Sequence, residues 1–567
     1  MRHLALALAA LSVAAPPAAA APGDLDPSFS SDGRVTTLST SETFVPRALA
    51  VQGDGRVVVA GYSCDTGTCG PTGDSSFRLT RYTPDGGLDT DFGAGGTVTT
   101  TVGAGRSQAF DVVLEPDGSL VAAGVASADG ADRGSFALVR YRPNGALDQT
   151  FGSGGKVVTP IGAGFDAISD LVVQPGGGLI AVGQAEQAGA ARFALARYGP
   201  SGALDPSFGS GGRLLAGSGG RVLAGSGPYA FGAAGAVLPD GGIVAVGAAG
   251  ASSEVEDYRF TSVRTGAQGA AEPASTEAIG SSYSFANAAS ALGDGRVLAA
   301  GVATDAAGAP GMALVRLSAG GGLDPGWDSD GVALARLGDG NVAADLILAP
   351  DGRAVAAGHV EHGGALSFVL ARFAGDGGLD RGFGAGGFAV TAFGGSSFAR
   401  ATAVVSQPDG RLLAAGLVCA QGGSGAQCAG GTARLALARY LGDAAPAPGA
   451  GAAPGPAAPA PGAAAPPFIG LPSVLRARRG RVRVQVRCLQ SRSCRGILSL
   501  RRLRSRGRTV LLASRRVSIR ARRSATVTLR LRRGLGDARR IRTRLSFRGR
   551  DATGRLRTVT RNAQLRQ

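Results

Sequence analysis

The chain repeats itself seven times along its first three quarters. Each copy has a turn that is followed seven residues later by a glycine, and successive turns lie near 59 residues apart. The seven copies are Asp54/Gly61, Asp117/Gly124, Gly176/Gly183, Asp240/Gly247, Asp294/Gly301, Asp351/Gly358 and Asp409/Gly416. Self-similarity at such a period is typical of propellers and solenoids, in which each repeat is one supersecondary unit.

Each period contains four short β-type runs separated by turns. In the first copy they are residues 33–37, 48–52, 56–63 and 77–83. The third run is continuously apolar in most copies, which is typical of a strand buried on both faces. Four strands in each of seven repeats predict an all-β, seven-bladed β-propeller over residues 24–441. A β-solenoid is the alternative, and it is disfavoured because solenoid coils repeat at shorter periods.

An arginine precedes an acid by eight residues across a turn in most copies. The pairs are Arg81/Asp89, Arg140/Asp148, Arg197/Asp205, Arg316/Asp324 and Arg372/Asp380, with Arg264/Glu272 in a degenerate fourth copy. We interpret these pairs as structural ion pairs between strands rather than ligand contacts. Asp26 has no arginine before it and Arg439 has no acid after it, so we expect these two residues to meet and close the ring.

A second half-motif follows each apolar run. It is clearest as Phe136-Ala-Leu-Val-Arg-Tyr-Arg-Pro-Asn-Gly-Ala-Leu-Asp-Gln-Thr-Phe-Gly-Ser-Gly-Gly155. With this segment the repeats resemble the delta-60 repeat family of secreted or surface bacterial proteins, over about three quarters of the chain. The resemblance implies a β-propeller and an extracellular setting, but it brings no activity and no site residues. The copy over 229–283 lacks Leu-Asp-x-x-Phe, and the fifth copy has Trp327 in place of Phe.

The amino terminus and the cysteines both indicate export. Residues 1–21 have a short basic region, an apolar stretch and an alanine-rich end, as in a secretory signal peptide; a membrane helix would need a longer apolar run. The six cysteines form three local pairs, which we interpret as disulfides: Cys64/Cys69, Cys419/Cys428 and Cys488/Cys494. Zinc is disfavoured because each pair supplies only two ligands. We expect a secreted protein, free or held at the cell surface.

The loops carrying Cys64 and Cys419 begin three residues after the glycines of repeats one and seven. If the ring closes, these elongated loops lie side by side. They are either insertions held by disulfides, the interpretation we favour, or a binding surface.

Few residues suit catalysis or metal binding. His359 and His362 flank Glu361, in what we expect to be a solvated loop without a helical frame for a metal. The acids of the Asp-Gly turns lack calcium-loop spacing, and the glycine-rich stretches lack a following Lys-Ser/Thr. We therefore expect no metal, no cofactor and no enzyme activity. A carboxylate pair of glycosidase type is not excluded.

The carboxyl-terminal part has a different composition. An Ala/Pro/Gly-rich linker, 442–467, precedes residues 468–567, which hold 31 Arg, no Lys and two acids. Their charge is +29, against −12 for residues 1–467. Alternating apolar and arginine residues favour a small immunoglobulin-like β-sandwich, with a disordered basic tail as the alternative.

The charge of this part suggests a partner. It would attract an anionic cell-wall polymer or membrane surface. Specific nucleic-acid binding is not predicted, because only Phe468 and Phe547 are aromatic there. We expect a monomeric, exported, non-enzymatic propeller that binds an unknown protein or glycan and is attached to the envelope by its basic domain. The alternative is a secreted enzyme, such as a carbohydrate-active one, that uses carboxylates in the propeller funnel.

Overall fold

The computed structural model describes residues 21–37, 43–64, 75–127, 133–215, 229–252, 254–272, 275–349, 351–394, 396–419, 423–424, 427–428 and 433–443, and the carboxyl-terminal segments 469–470, 474–478, 481–488, 494–503, 509–519, 524–530, 540–550 and 556–566. The chain divides into two compact units, Met1–Ala447 and Pro448–Gln567. Over these ranges the one helix is the single 3-10 turn Val255–Asp257. None of the described segments is a helix that could cross a membrane.

The described part of the first unit contains seven four-stranded antiparallel sheets, here called blades 1 to 7. Strand β1 is Arg34–Thr36. Blade 1 holds β2 Thr43–Val51, β3 Val57–Cys64, β4 Ser76–Tyr82 and β5 Thr97–Thr100. Blade 2 holds β6 Ser107–Leu114, β7 Leu120–Ala126, β8 Ser135–Tyr141 and β9 Lys156–Thr159. Blade 3 holds β10 Ala167–Val173, β11 Leu179–Gln187, β12 Ala190–Tyr198 and β13 Arg213–Leu215.

The remaining blades follow the same order. Blade 4 holds β14 Tyr229–Val237, β15 Ile243–Gly250, β16 Arg259–Thr265 and β17 Ser275–Glu277. Blade 5 holds β18 Ser284–Ala291, β19 Val297–Thr304, β20 Pro310–Leu317 and β21 Val332–Ala335. Blade 6 holds β22 Gly340–Leu348, β23 Ala354–His362, β24 Ala365–Phe373 and β25 Phe388–Thr391. Blade 7 holds β26 Ala399–Ser406, β27 Leu412–Cys419 and β30 Ala433–Tyr440; a small ladder, β28 Gly423–Ser424 and β29 Gln427–Cys428, lies between the last two.

Strand β1 is the fourth strand of blade 7. It pairs antiparallel with β30, with Arg34 opposite Ala438. The four runs of one repeat therefore do not form one blade, because the first run of each repeat is the outer strand of the blade before it. This offset makes the first repeat complete the last one and covers an edge of β30 that would otherwise be exposed. The seven-bladed propeller is thus confirmed as a closed ring.

The inner strands β2, β6, β10, β14, β18, β22 and β26 contact one another around the ring. We call the end of the ring with the turns between first and second strands the turn face, and the opposite end the loop face. Each inner strand has a bulge with one unpaired residue, which is Arg47 in blade 1. Opposite that bulge, a Cβ on Gly61 would lie 2.0 Å from the carbonyl oxygen of Val45. The six equivalent glycines meet the same obstacle, which explains why glycine recurs seven residues after each turn.

The second unit is also built of strands. They are β31 Ile469–Gly470, β32 Val474–Arg478, β33 Arg481–Cys488, β34 Cys494–Leu503, β35 Thr509–Ile519, β36 Ser524–Arg530, β37 Arg540–Arg550 and β38 Leu556–Arg566. All eight belong to one hydrogen-bonded sheet. In β33, Val482, Val484 and Val486 are buried while Arg483 is exposed. This alternation is that of a half-buried strand.

Candidate functional site

Each arginine of the eight-residue spacing lies beside its acid on the turn face. The shortest N–O distances are 2.8 Å for Arg81–Asp89, 3.4 Å for Arg140–Asp148, 2.8 Å for Arg197–Asp205, 3.6 Å for Arg264–Glu272, 3.0 Å for Arg316–Asp324 and 2.9 Å for Arg372–Asp380. In blade 7 the structure brings together Arg439 and Asp26, with Nε 2.8 Å from Oδ2. The pair joins β30 to the segment that leads into β1.

Each of these arginines does more than pair with an acid. The guanidinium of Arg81 lies 4.5 Å from the ring centre of Phe92, and one of its terminal nitrogens donates to the carbonyl oxygen of Pro143 in blade 2 at 2.6 Å. Arg197 reaches Ala267 of blade 4 in the same way, also at 2.6 Å. The arginines therefore hold neighbouring blades together. The sequence predicted the ion pair of each arginine with its acid but not its contacts with the aromatic ring or with the next blade. The aromatic residue three positions after the acid could have indicated the ring contact.

A second arginine joins the pair in blades 1, 5, 6 and 7. It is the last residue of an Asp-Gly-Arg turn, as in Arg56, whose Nε lies 2.7 Å from Asp89. In blade 7, Arg411 Nε lies 2.7 Å from Asp26. Burial acts to raise the pKa of Asp26, but hydrogen bonds from Ser28 and the charges of Arg439 and Arg411 outweigh it, and the net pKa is lowered. These turn-face carboxylates are held ionised as part of the frame.

Three further carboxylates lie inside the ring, and the sequence analysis missed them. Asp111, Asp170 and Asp345 each follow the bulge residue of an inner strand, in blades 2, 3 and 6. Each accepts a hydrogen bond from a backbone N–H of the next blade, namely Leu171 at 2.8 Å, Gly235 at 2.6 Å and Val404 at 2.7 Å. The usable signal was an acid inside an otherwise apolar inner-strand run.

These three carboxylates are close enough to act on one another. Burial raises the pKa of Asp345 to about 6, and the charge of Asp111 adds to that rise against two backbone hydrogen bonds. Burial and then the charge of Asp111 raise the pKa of Asp170 well above its ordinary value. Since blades 2 and 3 lie across the ring from blade 6, the three groups converge on the axis.

A cavity of about 450 Å³ opens beside this cluster on the turn face. Inner strands of blades 3, 4 and 5 line it, with Val172, Gly235, Leu238 and Leu292 among the lining residues. Gly235 also donates its N–H to Asp170, so the carboxylate lies next to the cavity wall. The other lining residues are mostly apolar, with Ser290 as a polar one.

The described cysteines of the propeller, Cys64, Cys419 and Cys428, lie where blades 7 and 1 meet. Cys419 and Cys428 form a disulfide, and Cys64 is disulfide-bonded, while its expected partner Cys69 lies outside the described residues. Cys64 and Cys419 are both buried in one apolar cluster that includes Tyr62. The two loops therefore begin side by side. The side chains of the third expected pair, Cys488/Cys494, lie outside the described part of the structure.

The expectation that the histidines lie in a loop is wrong. His359 and Glu361 are in strand β23, which continues to His362 because Gly363 and Gly364, with φ of 56° and 77°, form a tight turn. Alternation along the strand puts His362 on the opposite face from His359. Burial, together with the charge of Arg400, lowers the pKa of His359 to about 4. Across the described ranges, no three His, Cys, Asp or Glu side chains are arranged to hold a metal ion.

These features define a seven-bladed β-propeller of repeats, closed by its amino-terminal strand. The family model described as "Domain of unknown function (DUF5122) beta-propeller" matches residues 52–92, 115–151, 174–208, 292–326 and 349–383. The five segments belong to repeats one, two, three, five and six, as expected for a family of propeller repeats. Repeat four, which lacks the Leu-Asp-x-x-Phe motif, is not matched.

No curated protein matches the chain. Among solved structures, it is similar to the PQQ-bound form of an aldose sugar dehydrogenase from Streptomyces coelicolor, at 14% identity and a TM-score of 0.32, over 72% of this chain and 98% of that one. It is also similar to a subtype N11 neuraminidase-like protein of A/flat-faced bat/Peru/033/2010 (H18N11), at 12% identity and a TM-score of 0.33, over 75% and 99% of the two chains.

Proposed function

We propose that the chain is an exported, non-enzymatic propeller of the delta-60 type that binds a ligand and is attached to the anionic cell envelope by its basic β-domain. The observation that carries the proposal is the division of charge between two compact units. The propeller uses its turn-face acids in arginine contacts between strands and blades, whereas residues 468–567 combine 31 Arg with two acids.

Export is supported by the apolar leader at residues 1–21 and by the disulfide Cys419–Cys428. Disulfides persist in oxidising compartments and are rare in the cytosol. Once outside the cytoplasm, a domain with a charge of +29 is attracted to teichoic or other acidic polymers and to anionic head groups. Arg483 and Arg515 are exposed on separate strands of that domain and are available for such contacts.

The attachment is tested by retention of the mature chain, residues 22–567, on isolated envelope over a salt series. We expect retention to fall steeply between about 0.1 and 1 M salt, because binding to a polyanion releases counterions. Replacing Arg483 and Arg515 by Gln should weaken retention and flatten its salt dependence. The matched control replaces Arg192 and Arg259 of the propeller by Gln and should leave retention unchanged. Retention that ignores salt would contradict the proposal.

A second candidate is a secreted enzyme, and the observation that favours it is the axial carboxylate cluster beside the cavity. A carboxyl group with a raised pKa near an ionised one is the arrangement that general acid catalysis in glycoside hydrolysis requires. The test is hydrolysis of a panel of aryl glycosides by the mature chain and by Asp170→Asn. Activity that disappears in the variant while the fold persists would favour the enzyme, and absence of activity in the parent would favour the scaffold.

A further inference from the structure

Three adjacent blades, 6, 7 and 1, each have a nitrogen-bearing side chain on an inner or second strand near the bulge. In blade 7, Arg400 lies two residues before the bulge residue of its inner strand. In blade 6 the same position is Val342, whose partner across the sheet is His359. In blade 1 the bulge residue itself is Arg47. Along the inner strands, Arg47, Arg400 and Val342 all precede the position that holds an acid in blades 2, 3 and 6, so they and His359 lie toward the loop face.

A hydrogen bond between blades 7 and 1 holds Arg400 near Arg47. Thr402, two residues after Arg400, donates its hydroxyl to the carbonyl oxygen of Pro46 at 3.3 Å, next to Arg47. Burial and then the charge of Arg47 lower the pKa of Arg400. Burial and then the charge of Arg400 lower the pKa of His359. The two guanidinium groups, which carry like charges, are thus neighbours in a partly buried place.

One side-chain nitrogen of Arg47 and one of His359 have no hydrogen-bond partner among the described residues. They are Nε of Arg47 and Nδ1 of His359, and both are shielded from solvent. The guanidinium of Arg47 otherwise lies 5.6 Å from the ring centre of Tyr62 and 5.5 Å from that of Phe110, and it donates to the Tyr62 hydroxyl at 3.3 Å. A buried donor left unsatisfied costs stability, so its retention calls for an explanation.

The arginines of the turn face provide the contrast. There Arg81 lies 2.8 Å from Asp89, and each of the six other arginines of that ring also faces an acid. For Arg47, the described part of the chain offers no carboxylate within ion-pair distance. Guanidinium groups bind carboxylate and phosphate through paired N–H donors, and a neutral imidazole supplies one more donor.

We propose that Arg47, Arg400 and His359 bind an oxyanion, a carboxylate or phosphate group, of the ligand that the propeller carries. The proposal rests on the binding role put forward above and names the chemistry of the ligand. The two sources of such a group are an acidic sugar and a phosphorylated molecule. Their shared chemistry is an anionic group with two or more acceptor oxygens.

Histidine signals in NMR give a direct test, because the chain has only three His and His3 lies in the leader. The mature chain, with labelled histidine, is titrated with inorganic phosphate, with D-glucuronate and with neutral D-glucose. His362→Gln assigns the two signals. We expect phosphate or glucuronate to shift the His359 signal saturably, while the exposed His362 responds little and glucose moves neither.

Arg47→Gln should weaken the affinity for the effective anion about tenfold or more, the loss expected for charge-assisted hydrogen bonds. Arg47→Lys should lose less affinity, because it keeps the positive charge and loses only the paired N–H donors of the guanidinium. It replaces Arg47→Gln in the test if that variant does not fold. Arg259→Gln in blade 4 is the matched control, since that guanidinium donates to backbone carbonyls.

A response to glucuronate alone identifies an acidic sugar, and a response to phosphate alone identifies a phosphorylated ligand. If neither anion moves His359 saturably, or if Arg47→Gln responds like the parent, the site is refuted. Retention on envelope would be unaffected in that case, so failure of this site is distinguishable from failure of the proposed function.

Discussion

Replacing Asp26 by Asn tests whether charge holds the ring closed. The residue is 2% exposed, and its carboxylate faces Arg439 at 2.8 Å and Arg411 at 2.7 Å. Asparagine keeps the size but leaves two guanidinium groups facing a neutral amide. Removing one partner of a buried pair costs about 3–5 kcal/mol. Because the side chain of Arg411 is 36% exposed, we expect the lower end, about 3 kcal/mol.

The chain contains a matched control for this change. Asp89 in blade 1 faces Arg81 at 2.8 Å and Arg56 at 2.7 Å, with nearly the same burial. Asp89→Asn should therefore cost about as much free energy of unfolding. Only Asp26, however, lies 413 residues from its arginine and ties the two ends of the propeller together. The two variants should differ in where local structure is lost.

Urea unfolding is followed by the fluorescence of Trp327, the one tryptophan of the chain, which is buried in blade 5. Hydrogen exchange measures protection of β1 and β30. We expect Asp26→Asn to lose protection there and Asp89→Asn to keep it. Because the pKa of Asp26 is lowered, its contribution is present above about pH 4 and disappears as the pH falls below that. A cost below about 1 kcal/mol, which is the value of a surface ion pair, or continued protection of β1 in Asp26→Asn would show that charge does not hold the ring closed.

Three further outcomes are expected from urea unfolding of single variants. Gly61→Ala should cost about 2–3 kcal/mol because its Cβ meets the carbonyl oxygen of Val45, while Gly53→Ala, with open space around it, should be near neutral; equal losses would contradict the bulge argument. The pKa of His359 is lowered to about 4, so the folded protein resists protonating it. Between pH 7 and 5 the free energy of unfolding of the parent should therefore fall by about 2 kcal/mol relative to that of His359→Gln, and parallel pH profiles would refute this. For Asp345, whose pKa is raised to about 6, the expected pH dependence is reversed. As the pH falls from 7 to 5, the free energy of unfolding of the parent should rise by about 1 kcal/mol relative to that of Asp345→Asn, and a constant difference would show that the group does not titrate there.

Features set by short-range geometry could be predicted from the sequence. The eight-residue spacing of Arg81 and Asp89 spans one turn, so the meeting of the two groups follows from local structure. The recurrence of Gly61 was visible, but its cause, a close approach to Val45 on the neighbouring strand, required the bulge. Strand β23 is longer than the sequence predicts, because the tight Gly363-Gly364 turn lets the strand continue to His362.

Features that depend on the closed ring could not be predicted. Asp170 looks like a surface residue in its own strand, and its surroundings arise only when blades 2, 3 and 6 face one another. The bond from Arg81 to Pro143 depends on how two blades pack, and sequence spacing within a repeat carries no information about that. Likewise, Arg47 and Arg400 are 353 positions apart and become neighbours only because blade 7 meets blade 1.

The pairing of β1 with β30 also fixes an order of events during synthesis. At about 5–20 residues per second, the 413 residues between Asp26 and Arg439 take about 20–80 s to make. Through that interval β1 has no partner strand, and six blades can assemble before the seventh. The earliest segment of the ring must wait for the latest, so the propeller closes only after residue 440 has emerged.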